Sequence, residues 1–174
     1  MVYIFIYLTK KIMRKFTLFF LLVLGFLTSC SSDSDNRTDL YSSIVIDGFS
    51  FEPTKGVYFS QKASFDSQKS VRFLVTNEKK SENLYIDLSF PSTQKNLTGI
   101  YSFGPGSANE LLGFCELVTP KTRYYIGGNS IKVTDLGNNN FKFEFMGTQV
   151  LDVVKNYQVN FAGGLEGKFE LQVK

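Results

Sequence analysis

The stretch Phe141-Lys142-Phe143-Glu144-Phe145 puts an aromatic ring at every second position and a charge at each position between. Side chains alternate between two faces only in an extended chain, so this period of two marks a strand with one face on a core and the other in water. The flanking sequence repeats the pattern. Val71, Phe73 and Val75 alternate with Arg72 and Thr76, and beyond a charged loop at 77–83, Leu84, Ile86, Leu88 and Phe90 alternate with Tyr85, Asp87 and Ser89. These two segments are expected to pair. Asp47-Gly48 is the dipeptide favoured where a hairpin turn requires positive φ, and it joins residues 43–46 to 49–52. Further strands are expected at 99–103, 123–126, 130–134, 157–161 and 168–173, with turn chemistry in Asp135-Leu136-Gly137-Asn138-Asn139-Asn140. No window has convincing helical spacing. The long connection at 104–121 is expected to hold a turn of helix or a cover for an open end at 108–116. About nine or ten strands with short connections describe one all-β domain at residues 43–174, an antiparallel β-sandwich or barrel.

Ahead of that domain the composition changes. Lys10, Lys11, Arg14 and Lys15 are followed by an apolar run from Phe16 to Leu27 and then by Thr28, Ser29 and Cys30. This is the order of an export signal. As a helix the run would reach only about 18 Å, well short of a hydrocarbon core of about 30 Å, so a permanent span is the weaker reading. Met13 opens a cleaner signal than Met1 and is the expected start. Leu27-Thr28-Ser29-Cys30 resembles the lipobox of bacterial lipoproteins, which implies cleavage before Cys30 and lipidation of its thiol. Residues 1–29 are then a signal peptide. Residues 30–42 form a lipidated Cys and a flexible acidic tether, beginning Ser31-Ser32-Asp33-Ser34-Asp35-Asn36. Acyl chains contribute about 0.8 kcal/mol per buried methylene, so two or three of them anchor a protein firmly.

Cleavage at Cys30 also resets the charge. Of the 19 basic residues in the 174-residue chain, four precede Cys30, leaving 15 against 16 acidic ones, a net of −1 instead of +3. That removes the electrostatic case for a nucleic-acid partner. The second of the two cysteines, Cys115, has no partner within the mature chain and lies in an apolar stretch, which fits a small buried hydrophobe.

The chain contains no histidine, which excludes Ser-His-Asp and Cys-His catalysis and the commonest metal ligand. Ser92-Thr93-Gln94-Lys95 matches the Ser-x-x-Lys pattern of acyl enzymes but follows Pro91 in a β-to-turn setting. Asp87 and Glu144 are the carboxylates that a glycoside hydrolase could pair, although solvated charges on outward strand faces explain them better. Asp135 with Asn138, Asn139 and Asn140 offers oxygens to a calcium ion, yet a hairpin turn accounts for them. No cofactor and no metal site are expected. Tyr58, Tyr85, Tyr101, Tyr124 and Tyr125 are the candidate ligand-binding residues, because exposed flat rings are what sugar-binding surfaces use.

Four segments carry a family resemblance: Ile46-Asp47-Gly48-Phe49-Ser50-Phe51, Gly99-Ile100-Tyr101, Ile131-Lys132-Val133-Thr134-Asp135 and Gly167-Lys168-Phe169. Together with the lipobox they make the chain similar to small, uncharacterised all-β surface lipoproteins of the Bacteroidetes type. The chain departs from that pattern at Asn140-Phe141-Lys142, where Gly-Thr-Phe is usual. The resemblance implies a lipid anchor in the outer membrane and exposure to the exterior, as does the acidic segment after Cys30, and it implies no activity. The expected role is non-enzymatic binding of a glycan or protein partner at the membrane surface. The alternatives are a structural or assembly subunit of an envelope complex and a carboxylate-based glycan hydrolase.

Overall fold

The computed structural model describes residues 39–173. The expected signal segment, the expected lipidation site Cys30 and residues 31–38 of the expected tether lie outside the described residues. The strands in chain order are β1 (Leu40–Ser42), β2 (Val45–Ile46), β3 (Phe49–Ser50), β4 (Lys55–Gln61), β5 (Gln68–Asn77), β6 (Glu82–Pro91) and β7 (Gly99–Phe103). They continue as β8 (Leu112–Val118), β9 (Arg123–Gly137), β10 (Asn140–Asp152), β11 (Tyr157–Val159), β12 (Phe161–Ala162), β13 (Gly164–Lys168) and β14 (Glu170–Leu171).

The domain is all-β, and most strands join one sheet in the order β1-β13-β10-β9-β7-β8-β6-β5-β4-β14, with β11 beside β10. This sheet curls into a half-barrel. The three-stranded sheet β12-β2-β3 adds Ile46 to the same core, and the residues that flank its hairpin, Ile44 and Phe51, join it. Its hairpin turns at Asp47-Gly48 with φ of 50° and 78°, as the dipeptide demands.

β5 and β6 pair as the alternation requires, with Phe73 opposite Ile86 and Val75 opposite Leu84, and all four are fully buried. β9 and β10 are longer than the pattern suggests. Segments 123–126 and 130–134 belong to one strand, because Gly127 and Gly128 let the chain bend without ending. Gly128 has a φ of +104°, and a Cβ there would stand 2.7 Å from the Gln149 amide. Segment 108–116 is neither helical nor a cover. It runs into β8, whose Cys115 and Leu117 point inward opposite Ile86 and Leu84. The domain also begins earlier than residue 43. Leu40 is buried and β1 pairs with β13, so the last three residues assigned to the tether are part of the sheet.

The chain's end explains the curl. β13 and β14 follow each other in sequence yet lie near opposite ends of the strand order, so the ends of the sheet must approach one another. Phe169 occupies the gap: its amide donates to the Asn139 carbonyl (2.8 Å), and the Gln172 amide donates to the Tyr58 carbonyl (2.9 Å). The Phe169 ring is buried and meets Phe73 edge-on at 5.1 Å. Phe73 also meets Phe141 and Phe143 edge-on at 5.0 Å each and stacks on Tyr58 at 5.4 Å. Such pairs contribute about 0.5–1.5 kcal/mol each beyond their buried area.

One polar group in the sheet works against it. Glu82, opposite Asn77, is only 4% exposed and its Oε2 has no hydrogen-bond partner. Burial is the main cause that pushes its pKa above the usual value of 4.5.

Two outcomes are expected. Phe169→Ala should lower the unfolding free energy by about 3–5 kcal/mol in a denaturant titration, against a change within about 0.5 kcal/mol for Phe65→Ala at an exposed position. Because the folded pKa of Glu82 lies above its unfolded one, its penalty is absent below the unfolded value and grows as pH rises through the folded value. Glu82→Gln should therefore be more stable than the native chain at pH 7, with the gap closing below about pH 4.5.

Candidate functional site

Outward positions on the half-barrel fall into rows, because the registers of successive strands carry the same parity from one to the next. One row reads Leu74, Tyr85, Glu116, Tyr125 and Leu151 across β5, β6, β8, β9 and β10. The adjacent row reads Phe59, Arg72, Asp87 and Phe114 across β4, β5, β6 and β8. Each residue alternates with an inward neighbour of the core, such as Phe73, Ile86, Cys115 and Ile126, so the face is fixed by the strands beneath it.

The tyrosines of the first row flank Glu116. At about 4.8 Å per strand, Tyr85 and Tyr125 stand about 10 Å apart. Tyr125 is 41% exposed and Phe114 meets it edge-on at 5.3 Å. The Arg72 guanidinium lies 5.6 Å over the Tyr85 ring. Arg72 donates from Nε and Nη2 to the two oxygens of Asp87 at 2.6 Å each, a bidentate fork on a partly shielded face. The hydrogen bonds to Asp87 are the largest cause that pushes the Arg72 pKa up, against the opposing effect of its burial. Arg123 Nε stands 3.1 Å from Glu116 Oε1. The face thus alternates fixed rings with fixed ionic pairs.

The other tyrosines proposed from sequence lie elsewhere. Tyr101 is completely buried and donates its hydroxyl to the Leu97 carbonyl at 2.9 Å, and burial pushes its pKa up. Tyr58 faces inward onto Phe73 and donates to Asn139 Oδ1 at 2.7 Å. Tyr124, opposite Leu117 and Asp152, packs against the core, and burial is again the first cause of its raised pKa. These three rings build the domain and present no platform. Phe114 and Glu116 carry no expectation from the sequence because β8 does not read as a strand there, and Arg123, at the start of the expected strand 123–126, gains its place only through Glu116 on the neighbouring strand. The alternation of Cys115 and Leu117 with Phe114 and Glu116 carries the signal.

The carboxylates do not converge. From Glu144 on β10 the path to Asp87 on β6 crosses β9 and β8, three spacings or about 14 Å, with a further offset along the strands. A glycosidase pair needs about 5–9.5 Å. Asp87 is held by Arg72, and Glu144 by Lys132 (3.2 Å) and Lys142 (3.5 Å), with the Lys132 hydrogen bond the first cause that pulls the Glu144 pKa down. Oxygens of the Asp135–Asn139 segment are already engaged: Asp135 Oδ1 accepts from the Gly137 amide within the turn, and Asn139 Oδ1 accepts from the Tyr58 hydroxyl of β4. Among the described residues no group of three or more His, Cys, Asp or Glu is placed to hold a metal. Cys115 is buried, which pushes its thiol pKa well up. The Ser92 and Gln94 amides donate hydrogen bonds to the Ser67 and Pro91 carbonyls in a turn, so Ser92 and Lys95 lack a helix to align them.

Compared with known proteins, the chain matches no family model, no curated protein and no solved structure.

Removing one hydroxyl at a time separates the two kinds of tyrosine. Tyr101→Phe leaves the Leu97 carbonyl without its donor and should cost about 1–3 kcal/mol in thermal or denaturant unfolding, whereas Tyr125→Phe should stay within about 0.5 kcal/mol.

Proposed function

We propose that this chain is an outer-membrane lipoprotein, acylated at Cys30 and facing the exterior, whose β domain binds a glycan without catalysis. The observation that carries the ligand class is the row Tyr85, Glu116, Tyr125 with Arg72 and Asp87 beside it. A sugar ring needs an apolar platform for its C–H face and fixed donors and acceptors for its hydroxyls. Two rings about 10 Å apart, with the Glu116 carboxylate between them and the Arg72–Asp87 pair ordered in the adjacent row, supply both at little further entropy cost. Ring positions set by strand register also suit an extended chain of sugars better than a single one.

The non-catalytic part rests on the carboxylates. General acid catalysis requires a carboxyl kept protonated near neutral pH. Glu144 is shifted the other way, and both oxygens of Asp87 are occupied by Arg72. The assembly reading loses support at the ends of the large sheet, where β1 has three residues and β14 two, too short to template a long added strand.

Two experiments test the proposal. In detergent-phase partitioning of cells expressing the full chain, the native protein should enter the detergent phase and Cys30→Ala the aqueous phase. A variant that stays in the detergent phase contradicts the anchor. On an array of bacterial and host polysaccharides, Tyr85→Ala and Tyr125→Ala should each weaken retention about tenfold with unfolding midpoints close to native. Retention unaffected by both changes, or absent for every glycan, contradicts the ligand class.

A further inference from the structure

A groove of about 480 Å³ lies over β1, β10 and β13, away from the tyrosine face. That volume is within the range of small-molecule sites. Two of the residues that line it are glycines. Gly163 and Gly164 stand where the chain enters β13, and a Cβ on either would meet backbone: the Ser43 oxygen at 2.0 Å for Gly163 and the Phe143 oxygen at 2.6 Å for Gly164. The close approach of Ser43 and Phe143 thus demands glycine at both positions, and the two glycines form part of the groove's lining. Ser43 closes it at one side, its amide donating to the Gly164 carbonyl while its Oγ accepts from the Gly164 amide.

The walls are unevenly charged. Tyr41, Glu166 and Lys142 are register neighbours on β1, β13 and β10, and all three line the groove with Glu144. Lys142 is directly opposite Glu166 in the ladder, yet its ammonium stands by Glu144, which Lys132 also holds. Glu144 therefore has two cations, and Glu166 is left without an ion pair among the described residues. Beside it stands the Tyr41 ring, 71% exposed, the most open aromatic ring of the described domain. An unpaired carboxylate next to an open aromatic ring in a concave site is the arrangement that selects a cation, by Coulomb attraction on one side and the ring's quadrupole on the other.

We propose that this groove is a second binding site, specific for a protonated primary amine, with Tyr41 and Glu166 as its recognition pair. The ligand's ammonium sits between the Glu166 carboxylate and the Tyr41 ring, and its body lies over Gly163 and Gly164 against Ser43. The site is independent of the Tyr85–Tyr125 face and survives if glycan binding there fails.

The test is an NMR titration of the full chain in detergent, following the amides of Tyr41, Gly164 and Glu166. The ligands are glucosamine and cadaverine, with glucose and 1,5-pentanediol as their uncharged counterparts. At least one amine should shift these amides with saturation while its counterpart does not. Saturation by glucosamine alone assigns an amino sugar, and saturation by cadaverine assigns an aliphatic amine. Tyr41→Ala and Glu166→Gln should each weaken the amine about three- to fivefold, while Tyr85→Ala leaves it unchanged. Equal response to charged and uncharged members overturns the proposal, as does no saturable shift with any of the four. Both substitutions are at surface positions, and a third, Lys142→Met, frees further space by Glu166 and should leave amine binding intact or tighten it.

Discussion

The ring of Phe73 touches Phe141 and Phe143 from β10, Tyr58 from β4 and Phe169 from the chain's end. In the strand order β5 and β10 are separated by β6, β8, β7 and β9. Rings on such distant strands can meet only if the sheet curls far enough to bring its ends together. Each edge-to-face pair is worth little by itself, but together they make the curl the only arrangement in which these aromatic surfaces are dry. The domain has no disulfide to enforce closure, since Cys115 is buried and free. The aromatic contact is what remains.

Both surface features follow from that closure. The inward commitment of Phe73, Ile86, Cys115 and Ile126 forces Arg72, Tyr85, Asp87, Phe114, Glu116 and Tyr125 outward, and the registers of β5, β6, β8 and β9 bring them side by side. On the far part of the sheet the insertion of β13 between β1 and β10 demands glycine at Gly163 and Gly164 and sets Tyr41 beside Glu166 along the groove. Neither feature relies on a flexible loop. A rigid strand surface suits ligands recognised by shape and spacing more than ligands that must be enclosed.

Much of the fold could be read from period two. The β5–β6 pair, the Asp47-Gly48 hairpin and the aromatic face of β10 appear where the alternation places them. Three features were hidden, each for a physical reason. Glycine-bent strands read as two strands, because Gly127 and Gly128 interrupt the alternation without interrupting the ladder. β8 was obscured by the polar loop that leads into it. β1, with three residues, is too short to show any period, and the expected strand at 168–173 is realised beyond Lys168 only at β14, whose pairing with β4 is a long-range consequence of closure. The tyrosines show the same limit: sequence placed them on strands but could not assign parity to all of them, so Tyr58, Tyr101 and Tyr124 turned out to be structural. Tyr41 and Glu166, adjacent only through the β1–β13 ladder, carried no local signal.

Native-state amide hydrogen exchange tests the claim that aromatic closure governs the domain. If Phe73 and its partners hold the half-barrel shut as one unit, the slow amides of β5 and β10 and the bridging amide of Phe169 share a single opening free energy and lose it together as denaturant is added. Opening of the Phe169 segment at a free energy several kcal/mol below that of β5 and β10 would show that the sheet holds its curl without the bridge, and would contradict the account.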